Sequence, residues 1–174
     1  DRWDPAAIGD DVLIVYVQSS WRADTKSYRW DLGGVGICSV PMAQDVVLGL
    51  YRKVVEEFAV DTGQVTLAGF SQGGNLALFM AAEGTIPASG FLAGCPAIRT
   101  PVPPETARTA AARVVRGTIF VGAEDWTAAP AETTVSNFEE AGIPVNYIVM
   151  ERKGHEFPDN FDAVLREAVK QIYQ

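Results

Sequence analysis

The hydrophobic pattern changes period several times along the chain. Residues 12–17 (VLIVYV) form a short β-branched run with no polar interruption, the pattern of a strand buried on both faces. Residues 18–41, rich in Ser, Trp and Gly, read as loop. Over 44–58 the apolar side chains Val46, Val47, Leu50, Tyr51, Val54, Val55 and Phe58 recur at helical spacing. A turn at DTGQ leads into a second buried strand, 65–70 (VTLAGF). A helix then runs from Gln72 to Glu83 with Leu76, Leu78, Phe79 and Met80, and Gly84 stops it. A short strand is expected at 91–94, followed by a Pro-, Thr- and Ala-rich surface excursion with a short helix at 99–113. Residues 118–122 (TIFVG) read as a strand, and 130–141 as a helix with proline in its first turn and Gly142 beyond its end. The last strand is 145–150 (VNYIVM); the final helix, capped by Asp159, carries Phe161, Val164, Leu165, Ala168, Val169 and Ile172. Five strands alternating with helices predict an α/β fold: a mostly parallel sheet with helices on both faces. Residues 1–174 read as one domain, without repeats or an internal linker.

Composition narrows the function classes. With 48% hydrophobic and 21% charged residues the chain is an ordinary globular one. A net charge of −8 argues against nucleic acid and anionic membrane surfaces as partners. No apolar run is long enough to span a bilayer. The acidic start, DRWDPAAIGDD, lacks the basic and apolar regions of a secretion signal, so the expected location is cytoplasmic. Two cysteines, Cys38 and Cys95, are too few for a disulfide framework and lack metal-ligand spacing. Each reads as a buried or loop thiol, and neither a metal nor a cofactor is expected.

Gly69-Phe70-Ser71-Gln72-Gly73 fits the G-x-S-x-G nucleophile elbow and lies between a strand and a helix, where that motif belongs. A turn this tight is expected to need glycine two residues before and two after the serine. The helix behind it turns N–H groups toward a developing oxyanion, with Gln72 N–H the expected donor. His155 is the sole histidine, so a Ser-His mechanism must use it and a histidine-rich metal site is excluded. It follows the last strand, where an α/β-hydrolase carries its base. Asp125, ending Gly122-Ala123-Glu124-Asp125, occupies the acid's place in the Ser, Asp, His chain order. Glu124 competes for that role. The bland readings are a Gly-rich turn, a surface histidine and a solvated carboxylate. Three elements in the right order, each after a strand, outweigh them.

These residues resemble the bacterial phospholipase/carboxylesterase group of α/β-hydrolases, related to acyl-protein thioesterases. The resemblance runs from about Val12 to the C-terminus through Gln18-Ser19-Ser20, GFSQGG at 69–74, GAED at 122–125 and GHEFP at 154–158. It implies hydrolysis of small-molecule carboxylic esters or thioesters, without a cofactor, by Ser71, Asp125 and His155. A homodimer stays open. The group also has an earlier strand ending in a His-Gly loop that donates a second oxyanion N–H, and nothing in this chain supplies it. The expectation is therefore a fold lacking its N-terminal strands. The alternative is a minimal, cutinase-like lipolytic enzyme in which residues 12–17 take the central position and Gln18, Ser19 or Ser20 completes the oxyanion hole. Trp21, Tyr28, Trp30 and Trp126 fall in loops expected near the site and offer an acyl or aryl pocket, with packing the preferred role for Trp30. A non-catalytic α/β-hydrolase-like binding domain is the reading from another class. The role of 99–113, as lid or surface filler, is open.

Overall fold

The computed structural model describes residues 3–9, 11–19, 21–23, 26–30, 41–113 and 115–174. Its frame is a four-stranded parallel sheet in the order β3 (Thr66–Phe70), β4 (Gly90–Gly94), β5 (Arg116–Gly122) and β6 (Val145–Met150). A two-stranded antiparallel hairpin, β1 (Trp21–Arg22) and β2 (Ser27–Tyr28), stands apart from it. The described residues also form helices α1 (Pro41–Glu57), α2 (Gln72–Glu83), α3 (Pro104–Ala111), α4 (Ala128–Glu140) and α5 (Phe161–Ile172), and a 3-10 turn at Pro5–Ala7.

Strand order equals chain order, so α2, α3 and α4 are successive crossovers and right-handed connection places them on one face. That face holds the larger core: Leu76, Leu78, Phe79, Phe91, Ile119, Val135 and Phe138. The opposite face packs Leu92, Cys95, Phe120 and Met150 against Phe161, Leu165 and Ala168 of α5. Alternation within the strands does this sorting, since Phe91 and Leu92, or Ile119 and Phe120, point to opposite sides. Helices therefore cover both faces, as the pattern predicts.

In-register pairing sets the site. Phe70 lies beside Gly94, Gly94 beside Phe120, and Gly122 beside Met150. The segments leaving the strands, 71–72, 95–98, 123–127 and 151–157, therefore emerge along one edge of the sheet, the usual place for a site in such folds.

Three expectations need correction. Residues 12–17 are not a strand: they adopt no regular structure, and Val12, Leu13, Val15 and Tyr16 are exposed. Hydrophobic character makes a buried strand only where a neighbour offers a ladder, and among the described residues the sheet ends at β3. Tyr16 instead donates its hydroxyl proton to the Trp3 carbonyl. The segment 99–113 is not merely surface. Val102, Ala107 and Ala110 have no exposed area, Val102 N–H donates to Thr134 Oγ1 at 3.2 Å, and Asn137 Nδ2 donates to the Val102 carbonyl at 2.7 Å. Small alanines let α3 seat closely between α2 and α4. Finally, Asn160 rather than Asp159 occupies the N-cap of α5, its carbonyl accepting from Ala163 and Val164 N–H, while the Asp159 carboxylate pairs with Lys153 Nζ at 2.9 Å.

Candidate active site

The chain turns from β3 into α2 at Ser71, whose backbone sits at φ 54°, ψ −117°. A non-glycine residue tolerates that region only when its surroundings hold it there. They do: Ser71 N–H donates to the Gly94 carbonyl at 2.8 Å, and the Ser71 carbonyl accepts from Asn75 N–H at 3.0 Å and Ala97 N–H at 2.9 Å. The side chain makes no capping bond to α2, which leaves Oγ outside the helix network. Gln72 is the first helical residue, so its N–H has no acceptor within the helix.

The glycine requirement is partly other than expected. A Cβ on Gly69 would lie 2.3 Å from the Gly73 carbonyl carbon and oxygen, and one on Gly74 would lie 3.0 Å from the carbonyls of Gly69 and Gly94. Among the described residues, a Cβ on Gly73 meets only Trp30 Nε1, at 3.9 Å. The close approach is thus made by Gly69 and Gly74, and none of the described residues crowds Gly73.

His155 and Asp125 meet across the ends of β5 and β6. His155 Nδ1 is 2.7 Å from Asp125 Oδ2; the Asp125 side chain has no exposed surface, whereas that of His155 is about one-third exposed. Backbone docking brings them together. Glu124 N–H donates to the Lys153 carbonyl at 2.9 Å. Gly122 passes so close beneath that loop that a Cβ there would stand 2.2 Å from the carbonyl oxygens of Lys153 and Gly154. Glu124 itself is exposed, and Asp125 is the acid that contacts the histidine. Burial alone would push the Asp125 carboxyl up. Hydrogen bonds from Thr127 N–H (3.0 Å), His155 and the Cys95 thiol outweigh it and hold the carboxyl below its ordinary value. On the elbow side, the Phe70 ring lies 5.0 Å from the imidazole, and Phe157 stacks on Phe70 at 4.3 Å. The histidine therefore rests against the residue that precedes Ser71.

Cys95 is a member of this site that the sequence does not flag. It leaves β4 at φ 38° with its side chain fully buried, and its Sγ approaches the Glu156 carbonyl at 3.5 Å. Donor atoms of Cys95, Asp125 and His155 all lie within 4.8 Å of one another. That spacing would admit a metal, but burial, with Asp125 beside it, pushes the thiol up to about 12. Without a metal it therefore keeps its proton, and the Glu156 carbonyl and the Asp125 carboxylate are the acceptors beside it. The signal that could have found it was positional: Cys95 occupies the first residue after a strand of the catalytic edge, one strand over from Ser71.

The remaining candidates divide. Trp126 follows Asp125, is 59% exposed, and stacks on His155 at 6.1 Å with 22° between the planes. Trp30 packs against the core, and its backbone N–H donates to Gln72 Oε1 at 3.2 Å, tying it to the elbow. Gln18 is exposed, and no hydrogen bond joins it to the elbow among the described residues. Trp21 lies in β1, with its side chain outside the described part. Ser20 and Cys38 fall outside the described residues altogether.

No family model and no curated protein matches the chain. Solved structures do. An uncharacterized protein from Bacillus cereus ATCC 10987 superposes with a TM-score of 0.76 at 22% identity over 91% of this chain and 50% of that one. SOBER1 of Arabidopsis thaliana gives 0.68 at 14% over 92% and 83%. Esterase PE8 gives 0.61 at 17% over 78% and 63%. The chain thus spans half the length of the Bacillus cereus protein. At these identities the likeness is one of fold, and the fold is that of the α/β-hydrolases.

Proposed function

We propose that the chain is a serine hydrolase of carboxylic esters or thioesters, of the phospholipase/carboxylesterase type, with Ser71 as nucleophile, His155 as general base and Asp125 as the acid that orients it. The observation carrying this reading is the 2.7 Å contact between a fully buried carboxylate and the one histidine of the chain, on the same sheet edge as a serine in the left-handed backbone region. An esterase among the structures that share the fold supports it.

With Nδ1 engaged by Asp125, Nε2 is the nitrogen left for Ser71. Ser71 Oγ attacks the carbonyl carbon while His155 Nε2 takes its proton, and the Gln72 N–H donates to the oxygen that becomes negative. Collapse of the adduct breaks the ester bond, and the leaving alcohol or thiol takes the proton from His155. Water then repeats the sequence against the acyl-enzyme and releases the acid. Asp125 fixes the tautomer and stabilises the imidazolium formed in each half.

A fluorophosphonate probe tests this. Intact mass should rise by one adduct on the wild type and not on Ser71→Ala. Absence of an adduct on wild-type protein that is folded by circular dichroism would sink the hydrolase reading. It would favour the non-catalytic binding domain, the reading suited to a chain whose described residues offer one assigned oxyanion donor. A panel of acyl chain lengths then separates a small-ester preference from a cutinase-like one.

A further inference from the structure

Trp126, which stacks on the histidine, also borders an open groove of about 420 Å³ lined by Ile98, Arg99, Trp126 and Pro130. Its two walls are tied to the two halves of the candidate site. Ile98 and Arg99 follow Ala97, whose N–H is bound to the Ser71 carbonyl at 2.9 Å. Trp126 lies on the His155 ring, and Pro130, in the first turn of α4, stiffens that side. A substrate carbonyl held between Ser71 and His155 would therefore extend part of its body into this groove.

The lining has a definite chemistry. The indole of Trp126, with more than half of its area uncovered, and the ring of Pro130 present an apolar and largely flat surface over the buried Ile98. At the rim Arg99 is exposed and makes no ion pair among the described residues. The chain carries 22 acidic against 14 basic side chains, so its overall field repels anions. A guanidinium beside the site offers a local exception, and its planar fork matches a carboxylate.

We infer that this groove is a substrate subsite selecting esters whose apolar or aromatic body ends in a carboxylate, with Arg99 holding the carboxylate and Trp126 the body. The inference deepens the hydrolase reading and rests on it for the position of the scissile bond.

Two substrate pairs test it and report which side of the ester carries the charge. On the acyl side, para-nitrophenyl hemiadipate is compared with para-nitrophenyl hexanoate; on the alcohol side, para-carboxyphenyl butyrate with its methyl ester. In one pair the wild type should favour the anionic member, and Arg99→Gln should lower the anionic-to-neutral ratio of kcat/KM by about fivefold to twentyfold, between an exposed ion pair and a hydrogen bond to a charged group. Binding without turnover is read by quenching of indole fluorescence with phenylpropionate against phenylpropanol. Quenching should favour the acid and weaken in both Arg99→Gln and Trp126→Phe. An unchanged ratio in both pairs, with Ser71-dependent hydrolysis of the neutral esters, would overturn the subsite and leave the hydrolase standing. Arg99-dependent binding of phenylpropionate in a protein that hydrolyses nothing would keep the groove as an anion site and overturn the hydrolase.

Discussion

A carboxylate with no exposed surface is tolerated only when donors meet it, and Asp125 is met by three: the Thr127 N–H, His155 and the Cys95 thiol. Their combined effect lowers its pKa from the ordinary 3.8. A depressed carboxyl contributes its full stabilisation above the unfolded value and loses it as pH falls through the native one. The stability gap between wild type and Asp125→Asn, read from urea midpoints, should therefore narrow as pH drops below 3.8; a constant gap would contradict the depression. Cys95 behaves oppositely. Burial keeps it protonated up to about 12, so iodoacetamide at pH 8 should leave it unmodified in the native protein and alkylate it in denaturant, as peptide mass mapping would show. Because it acts by donating a proton, Cys95→Ser should retain more of kcat than the similarly sized, donor-free Cys95→Val. Equal losses in the two would mean that the thiol serves packing alone. The pairing of Asp125 with His155 was legible because chain order and the uniqueness of the histidine converge on it, and the turn at Ser71 because the motif marks it. Cys95 was not, because a single cysteine after a strand carries no pattern of its own.

At the scale of elements, the site depends on how closely two loops approach the ends of their strands. Gly69 and Gly122 are the tight points, at 2.3 Å and 2.2 Å from backbone atoms for an added Cβ. Gly122→Ala should push the 153–155 loop off β5 and carry His155 away from Asp125. Esterase activity is expected to fall by a factor on the order of a hundred, since small misplacements are that damaging, while the helical circular dichroism signal persists. Gly73→Ala, whose Cβ meets only an indole nitrogen at 3.9 Å among the described residues, should lose much less activity than Gly69→Ala. Comparable losses would show that Gly73 serves something other than clearance. Strands β3 to β6 and the helices between them could be read from the sequence because each carries an uninterrupted apolar run or helical spacing that ends at turn residues. The run at 12–17 misled the same logic. Its composition is that of a core strand, but burial depends on a neighbouring strand that composition cannot supply.

At the scale of the whole molecule, sheet order follows chain order, and this bears on how the protein is made. Each strand pairs with the one synthesised just before it, so the sheet can grow outward from β3 without waiting for a distant segment. Such local pairing keeps loop-closure entropy small at every step. The elbow and Asp125 are both in place once β5 has joined, yet the partner of that carboxylate lies 30 residues further on. A ribosome-bound chain that has not yet released β6 would thus hold Ser71 and Asp125 but not His155. On the proposed assignment the three residues are brought together only when β6 and the loop after it have docked, so a chain lacking them is expected to hydrolyse no ester.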